Sequence, residues 1–428
     1  MDFEKILKEI KPSEEEKRKV FNIIDEFFEI LKKNNLKPFL GGSFAKNTWL
    51  KGDFDIDTFI LFDKDEKISD KVEEVLKKEN FNYIRIHGSR DYFRVNYKGY
   101  IFELVPVLEI KNVEEAKNVT DLSPFHVKYI KEKIKNTNLN DEIRLAKIFM
   151  KNINVYGAES YINGFSGYAV ELLVIHYGSF IKLIENASKW KPKIIIDIEK
   201  YYKNYDEIKK NLSKDKLKSP IIIIDPVNKY RNVGASVSIQ KFSEMIFYSR
   251  LFLNDEDKEK YFKRKFYKEY EELLELSKKY ETNMIYIEIE GNSNNKDIKN
   301  TKALKLFNFI KKNINILGFK IFNSYYYFRD DKLHGFILYY PEKLPEYEIR
   351  EGPNIWDMKD FENFYEKHKN EELFIKNSKI YSITKRKINN MDDAIKYIIE
   401  KYNDSIKEKA NYLLIKVGDK EYRYKNIS

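Results

Sequence analysis

The sequence predicts an α+β multidomain protein, and three observations lead to that fold class. Strand-like runs alternate with helical periodicity up to about residue 137, helical periodicity dominates residues 138–255, and strands return among helices beyond that point. A chain of 428 residues is long enough for roughly two to four domains with buried cores. We therefore predict three segments, at 1–137, 138–255 and 256–428.

The first segment is predicted to form a mixed β-sheet with helices. Apolar residues up to about Leu31 recur at three-to-four spacing, which indicates a helix. A strand at 36–40 leads into a Gly-Gly-Ser turn, and a helix is expected at 72–78. Further strands are expected at 54–62, 83–87 and 94–108, the last divided by a hairpin turn at Lys98-Gly99.

The second segment is predicted to be a compact set of helices. One helical face of residues 141–154 carries Ile143, Ala146, Phe149, Met150 and Ile153, and residues 167–184 are strongly apolar. In the third segment, runs at 284–289 and 325–340 read as strands among helices, with a polar stretch at 291–296. The third segment therefore predicts one or two small α/β modules.

Composition limits the chemistry that the protein can perform. The chain has no Cys, which excludes disulfides, a thiolate nucleophile and a zinc ribbon, so carboxylates would hold any metal, and magnesium is favoured. The net charge of +10 would attract a polyanion such as nucleic acid, although codon bias also enriches Lys and Asn. No apolar run reaches the roughly 18–20 residues of a membrane span, so we expect a cytoplasmic protein without a membrane partner.

Two aspartates form the clearest candidate site. In the strand predicted at 54–62, the period of two puts Asp55 and Asp57 on one face. The opposite face carries Phe54, Ile56, Thr58 and Ile60. Adjacent carboxylates repel each other on a partly buried strand unless a cation neutralises them, so a metal is the simplest explanation. The alternative is an ordinary solvated strand face.

A Gly-Ser turn lies upstream of the aspartates. Gly42 allows close approach of the chain, and Ser43 offers a hydroxyl beside backbone N–H groups that can cradle phosphate. Eleven residues separate Ser43 from Asp55. Together these features resemble the signature of the polymerase-β-like nucleotidyltransferases. In such a site two divalent ions, about 3.5–4 Å apart, would activate an attacking hydroxyl and stabilise leaving pyrophosphate.

A third carboxylate is needed to complete such a site, and the sequence offers two candidates. Glu103 lies within an apolar strand, where an unpaired carboxylate is hardest to explain as solvated surface. Glu109 begins a charged stretch that is expected to be exposed. We therefore favour Glu103 and keep Glu109 as the alternative.

Residues 42–52 form the block Gly-Ser-Phe-Ala-Lys-Asn-Thr-Trp-Leu-Lys-Gly. This block is similar to Gly-Ser-Tyr-Ala-Arg-Asn-Thr-Trp-Leu-x-Gly of the class I, archaeal-type CCA-adding tRNA nucleotidyltransferases, a family that the chain resembles over most of its length. Further similar motifs follow in the family's order at 123–126, 156–159, 164–168, 225–227, 231–233 and 352–353. The resemblance implies a catalytic nucleotidyltransferase head at 1–137, a base-recognising helical neck at 138–255, and a tRNA-binding body and tail at 256–428.

The resemblance also implies roles for individual residues. The family's metal triad, which holds two Mg²⁺ ions, maps to Asp55, Asp57 and Glu103, although the family often has Glu at the first position and usually Asp at the third. Ser43 and Lys46 would hold the incoming triphosphate, and Lys46 replaces an Arg that could make a bidentate contact. Nucleotide contacts are implied for Gly42, Ser43, Lys46, Ser123, His126, Lys147, Tyr156, Ser166, Tyr168 and Arg231.

These implied contacts have structural alternatives. Ser123 with Pro124 would make a good N-cap and first helical turn, which would leave His126 on the surface. Lys147 borders the apolar stripe of its helix and could extend its ammonium group to solvent. For Tyr156, Ser166 and Tyr168 the alternatives are packing within the neck and a second helix N-cap. For Arg231 the alternative is an ordinary surface charge.

The resemblance implies an enzyme that adds C, C and A to the 3′ end of tRNA from CTP and ATP without a nucleic-acid template. The RNA 3′-hydroxyl would attack the α-phosphate and release pyrophosphate, and the acceptor and T arms of tRNA would be bound. A poly(A) polymerase or oligoadenylate-synthetase-like enzyme is the alternative within this chemistry. An inactive tRNA-binding homologue, suggested by Glu103, is the alternative outside it. A homodimer is compatible with the sequence.

Overall fold

The computed structural model describes residues 2–53, 55–88, 90–263, 265 and 268–425. The chain forms two compact units, Met1–Tyr267 and Lys268–Ser428. Phe54, which we predicted on the apolar face of a strand, lies outside the described residues.

A five-stranded mixed sheet forms the N-terminal part of the first unit. Its strands follow the order β1-β2-β5-β4-β3, where β2 and β5 are parallel and the other pairs are antiparallel. The strands are β1 (Lys37–Leu40), β2 (Asp55–Phe62), β3 (Tyr83–Ile86), β4 (Tyr92–Tyr97) and β5 (Tyr100–Leu108). The accompanying helices are α1 (Phe3–Ile10), α2 (Glu14–Lys33), α3 (Gly42–Ala45) and α4 (Ile68–Lys78).

The hairpin predicted at Lys98-Gly99 is confirmed. Both residues have positive φ, 51° and 85°, and the turn joins β4 to β5. The single N-terminal helix that we predicted is instead two helices, because Pro12 disfavours helical backbone at Lys11 and ends α1. Ser13 and Glu16 then form a capping box that starts α2.

The two faces of β2 differ as the alternating pattern predicts. Ile56, Thr58 and Ile60 are fully buried, and the two isoleucines share one core with Phe27 of α2 and Val72 of α4. This burial fixes the register of the strand, because a slip of one residue would turn the apolar set outward. The aspartates are therefore held on the opposite face.

The remainder of the first unit is mainly helical. Its helices are α5 (Ser123–Ile134), α6 (Leu139–Asn152), α7 (Gly167–Tyr177), α8 (Phe180–Ala187), α9 (Tyr205–Asn211), α10 (Ile239–Asn254) and α11 (Lys260–Lys263). Helical structure predicted at 141–154 and 167–184 is confirmed, with a break where Gly178 adopts positive φ at the end of α7. A small parallel sheet that the sequence did not reveal pairs β6 (Ile194–Ile196) with β7 (Ile221–Ile223).

Within the described residues, no single helix is both long and apolar enough to cross a membrane. The pair α7 and α8 meets that criterion only when taken together, and the two helices are bent by 95°. Both helices contribute buried side chains to the largest core of the first unit.

The second unit contains two antiparallel sheets with helices. One sheet has the order β15-β14-β8-β10-β9 and the other β11-β13-β12. The strands are β8 (Asn283–Gly291), β9 (Ile321–Arg329), β10 (Lys332–Tyr339), β11 (Tyr347–Asn354), β12 (Glu372–Lys376), β13 (Lys379–Lys385), β14 (Ala410–Val417) and β15 (Lys420–Lys425). The helices are α12 (Tyr270–Lys279), α13 (Lys296–Ile316), α14 (Met358–His368), α15 (Met391–Lys401) and α16 (Asn403–Lys409). Strands predicted at 284–289 and 325–340 are confirmed.

Candidate active site

Neighbouring strands bring the three predicted metal-ligating carboxylates together. In the parallel register of β2 and β5, Asp57 pairs with Glu103, and Asp55 lies two residues before Asp57. Glu109 lies just beyond the end of β5, where it is exposed and forms an ion pair with Lys37. Of the two glutamates, Glu103 is therefore the one beside the aspartates.

Arg94 of β4 links two of these carboxylates, and the sequence analysis missed it. Its register partner is Glu103, and its guanidinium lies 3.3 Å from Glu103 Oε1 and 3.4 Å from Asp55 Oδ1. The two-residue hairpin turn that we predicted sets this register, so counting back from the turn would have found Arg94.

The carboxylates disfavour one another's ionisation. Burial raises the pKa of Glu103 to about 7, with Asp57 contributing to the rise and Arg94 opposing it. Burial also raises the pKa of Asp57; Lys46 opposes this shift and Asp55 adds to it. A bound cation would oppose both shifts, because it favours the ionised form of Asp57 and Glu103.

The donor set fits a hard divalent cation. Carboxylate oxygens are the ligands that Mg²⁺ takes, and Asp55, Asp57 and Glu103 share adjacent positions on two strands. In the ranges that the structure describes, no three His, Asp or Glu side chains are already arranged as a metal site. Arg94 contacts two of the three carboxylates in this arrangement.

Gly42 lies directly against Asp57. It has a φ of +54°, and a Cβ built on it would lie 1.6 Å from Asp57 Oδ2. The backbone N–H of Gly41 also donates to the carbonyl of Asp57 at 2.8 Å. The predicted Gly-Ser turn is a short helix, α3, whose first residue lies against Asp57.

Lys46 and Lys147, both predicted to contact the nucleotide, share one buried carboxylate. Lys46 Nζ lies 2.6 Å from Glu171 Oε2, and Lys147 Nζ lies 3.2 Å from Glu171 Oε1. The hydroxyl of Thr48 donates to Glu171 at 2.8 Å. Burial raises the pKa of Glu171, but Lys46 and Lys147 outweigh burial and lower it overall.

The contacts around Glu171 exclude the solvent-extended alternative for Lys147, and they reveal Glu171 as a residue that the sequence analysis missed. Lys147 does not extend to solvent, because it is only 3% exposed and its ammonium group is held by Glu171 and Thr48. Glu171 is the one acidic residue in α7, a helix that is otherwise apolar over most of its length. The reasoning that selected Glu103, an unpaired carboxylate in an apolar run, would also have selected Glu171.

Replacing Glu171 with Gln is expected to destabilise the protein by about 3–5 kcal/mol, because two buried ammonium groups lose their shared counter-charge. Urea denaturation measures this loss. Glu185→Gln, at an exposed position on α8, is the control and should change stability by no more than about 0.5 kcal/mol. A loss below about 1 kcal/mol for Glu171→Gln would show that the lysines do not depend on this carboxylate.

A second cluster gathers three predicted nucleotide-binding residues around Asp225. His126 Nε2 lies 2.9 Å from Asp225 Oδ2, and Arg231 Nη1 donates to the same oxygen at 2.8 Å. The Tyr168 hydroxyl donates to Asp225 Oδ1 at 3.1 Å. Burial opposes ionisation of Asp225, but His126 and Arg231 hold its pKa at about 2.

Two structural alternatives at the start of α5 are wrong. Ser123 is not an N-cap, because the 3₁₀ turn at Val119–Leu122 runs directly into α5 and leaves Ser123 with helical angles. His126 is not a surface residue, since its side chain is 12% exposed and contacts Asp225. His126 stays in the candidate site, and the contact proposed for Ser123 stays a prediction.

The remaining predicted contacts lie on or beside α7. Ser166 is the N-cap of α7 and accepts from the backbone N–H of Ala169, so the capping alternative is confirmed for this residue. Tyr156 pairs with Phe165 in an isolated β-bridge, and burial raises the pKa of the Tyr156 hydroxyl. The nucleotide contacts of Ser166 and Tyr156 stay predictions.

Comparison with known proteins covers nearly the whole chain. Residues 22–149 match the model of the nucleotidyltransferase domain, residues 141–263 that of the tRNA nucleotidyltransferase second domain, and residues 280–412 that of the CCA-adding enzyme C-terminal domain. The chain is 38% identical to the CCA-adding enzyme of Nanoarchaeum equitans over 90% of this chain and 93% of that protein. It is 35% identical to the CCA-adding enzyme of Methanocaldococcus jannaschii over 92% of this chain and 89% of that protein.

Solved structures show a similar fold at low identity. A cytoplasmic RNA terminal U-transferase matches 61% of this chain and 97% of its own, with a TM-score of 0.50 and 14% identity. The Cid1 poly(U) polymerase bound to MgGTP matches the same shares, with a TM-score of 0.50 and 13% identity. At such identities the likeness concerns the fold alone.

Proposed function

This chain belongs to the archaeal-type CCA-adding enzymes, and from that premise we propose which of its residues carry the reaction. It is a CCA tRNA nucleotidyltransferase, which adds C, C and A to tRNA. We propose that CTP and ATP are the donors and that Asp55, Asp57 and Glu103 form the catalytic centre. The contact of Gly42 with Asp57, beside Glu103, is the observation that carries the proposal.

Asp55, Asp57 and Glu103 would hold two Mg²⁺ ions. When bound, the ions would neutralise charge on the attacking 3′-hydroxyl of tRNA and on the leaving pyrophosphate. Arg94 would release Asp55 and Glu103 and keep its positive charge near the reacting phosphates. No protein nucleophile is needed, because positioning and charge neutralisation supply the catalysis.

The triphosphate would lie between Gly42 and the two lysines. The backbone around Gly42 and the hydroxyl of Ser43 would donate to phosphate oxygens. Lys46 carries three N–H donors and contacts Glu171 with one, which leaves donors for the phosphates. Lys147 already contacts Glu171 and two oxygens of Thr48, so it would exchange a Thr48 contact for a phosphate oxygen. Glu171 would thus hold both ammonium groups in place before the nucleotide binds.

The base would be recognised in the neck, and tRNA would be held further along the chain. We propose base contacts for Ser123, His126, Tyr156, Ser166, Tyr168 and Arg231. The segment roles that we propose are a catalytic head at 1–137, a base-recognising neck at 138–255 and a body and tail at 256–428 that bind the acceptor and T arms. We also propose that two copies of this chain form a homodimer.

Incubating the enzyme with tRNA that lacks its CCA end, and with single labelled nucleotides, tests the proposal. We expect CTP alone to add two C residues, and ATP to be used only after C addition. Incorporation of A alone onto unrelated RNA would favour a poly(A) polymerase. Failure to add C while tRNA still binds would favour an inactive tRNA-binding homologue.

A further inference from the structure

Asp225 is a buried carboxylate to which no role in the reaction has been given. It is 0% exposed and lies two residues after β7. Three side chains proposed to contact the nucleotide, His126, Tyr168 and Arg231, meet at its two oxygens at 2.8–3.1 Å. They come from α5, α7 and the loop after β7, so Asp225 joins three segments that are distant in sequence.

The carboxylate of Asp225 is itself held rigidly. Its backbone N–H donates to the carbonyl of Arg231 at 3.0 Å, and the N–H of Val227 donates to Asp225 Oδ1 at 2.9 Å. Each oxygen therefore accepts from two groups. A side chain with this many partners has little freedom to rotate.

Asp225 also determines which donors remain for a ligand. An ionised carboxylate only accepts, so His126 must carry its proton on Nε2 when it pairs with Asp225. Arg231 uses an N–H of Nη1 on Asp225 and keeps the rest of its five donors, on a side chain that is 30% exposed. The His126 ring packs at 4.4 Å from the ring of Tyr168, which restricts both rings.

We propose that Asp225 is the positioning residue for base selection, because it fixes the Arg231 guanidinium, with the N–H donors that Asp225 does not use, and holds the ring of His126 in one orientation. This inference rests on the proposed function of these residues as base contacts. A fixed pair of N–H donors on the Arg231 guanidinium favours a base edge with adjacent acceptors, such as N3 and O2 of cytosine. It disfavours uracil, whose N3 carries a hydrogen, because one donor would then face another donor.

Asp225→Asn tests the inference while nearly preserving side-chain volume. Asn keeps one acceptor oxygen, so its NH₂ group must face either Arg231 and His126 or the N–H of Val227. In both orientations a donor meets a donor, and the side chain loses its fixed position. We expect discrimination for CTP over UTP, measured as the ratio of kcat/KM values on tRNA lacking CCA, to fall about tenfold or more. The KM for CTP should rise more than kcat falls, because the metal-binding carboxylates are untouched.

A matched control separates positioning from stability. Asp121 is equally buried in the same unit, pairs with Arg90 and accepts from the N–H of Leu108. Asp121→Asn should lower the thermal midpoint but leave the CTP-to-UTP ratio within about twofold of wild type, because Asp121 contacts none of the proposed base-reading side chains.

Two milder variants keep the inference testable if Asp225→Asn does not fold. Tyr168→Phe removes one donor from Asp225, and Arg231→Lys keeps the charge but loses the planar fork. Both should reduce discrimination, Arg231→Lys more strongly. The matched control for Tyr168→Phe is Tyr177→Phe, which removes a hydroxyl of α7 that contacts Trp190 instead.

Two outcomes would contradict the role proposed for Asp225. The inference is wrong if folded Asp225→Asn, or both milder variants, keep the wild-type CTP-to-UTP ratio. Asp225 would then be a structural residue, and the proposed function would still stand. If wild-type enzyme fails to add C to the same tRNA, the proposed function is wrong and the inference falls with it.

Discussion

Asp57→Asn is expected to reduce nucleotide addition by about 10³-fold or more without unfolding the protein, because a carboxylate at the catalytic centre would be lost. Metal ions stabilise charge in such transition states by several kcal/mol, and each 1.4 kcal/mol corresponds to about tenfold in rate. Burial already raises the pKa of Asp57, so the ionised side chain is disfavoured in the folded protein. Neutral Asn removes that cost, and we expect the thermal midpoint without metal to hold or rise.

Two measurements check this result. Single-turnover addition of C to tRNA gives the rate, and thermal denaturation with and without Mg²⁺ reports binding, because a ligand of the folded state raises the midpoint. Mg²⁺ should raise the midpoint of wild type but not that of Asp57→Asn. A variant that keeps a rate within about tenfold of wild type would exclude Asp57 from the metal site.

The same assays compare the two candidate third ligands. Glu103→Gln should behave like Asp57→Asn, because Glu103 is its partner across β2 and β5. Glu109→Gln is the matched control, since Glu109 is exposed and pairs with Lys37. A loss of activity in Glu109→Gln with normal activity in Glu103→Gln would reverse the assignment.

Gly42→Ala is expected to reduce the rate of nucleotide addition at least about 100-fold. Its Cβ would lie 1.6 Å from Asp57 Oδ2, so either the carboxylate or the backbone of α3 must move. A displacement of about 1 Å in a catalytic site is sufficient for a loss of this size. The rate of C addition at saturating CTP and tRNA is the measurement.

Gly52→Ala is the control for backbone strain. Gly52 also has positive φ, +84°, but no atom lies within 4 Å of the position of an added Cβ. Gly52→Ala should lose about 1–2 kcal/mol of stability because alanine is disfavoured at positive φ, and Gly42→Ala should lose at least as much because its Cβ also overlaps Asp57. Only Gly42→Ala should lose activity. If the two variants lose equal activity, backbone strain and not contact with Asp57 is the cause of the loss.

Local patterns were sufficient to predict most of the first sheet and the carboxylate pair. Alternation placed Ile56 and Ile60 in the core and the aspartates opposite them, and Lys98-Gly99 predicted the hairpin. These features depend on residues that are close in sequence, where strand period and turn chemistry decide the conformation. The resemblance to a family supplied the implied identity of the reaction.

The sequence alone did not reveal how buried charges are paired. Lys46 and Glu171 are separated by 125 positions, and His126 and Asp225 by 99. The capping role considered for Ser123 was wrong because the preceding 3₁₀ turn continues into α5. The solvent-extended alternative for Lys147 was wrong because Glu171, on another helix, lies beside it.

The sequence by itself determined the residue types of the proposed catalytic centre and the strand that presents Asp55 and Asp57. Only the tertiary structure decided which side chains meet Glu171 and Asp225, and that Arg94 also reaches Asp55. A charge is buried only where a partner compensates its lost hydration, and that partner is set by the packing of distant segments. The periodicity of a single segment carries no information about such a partner.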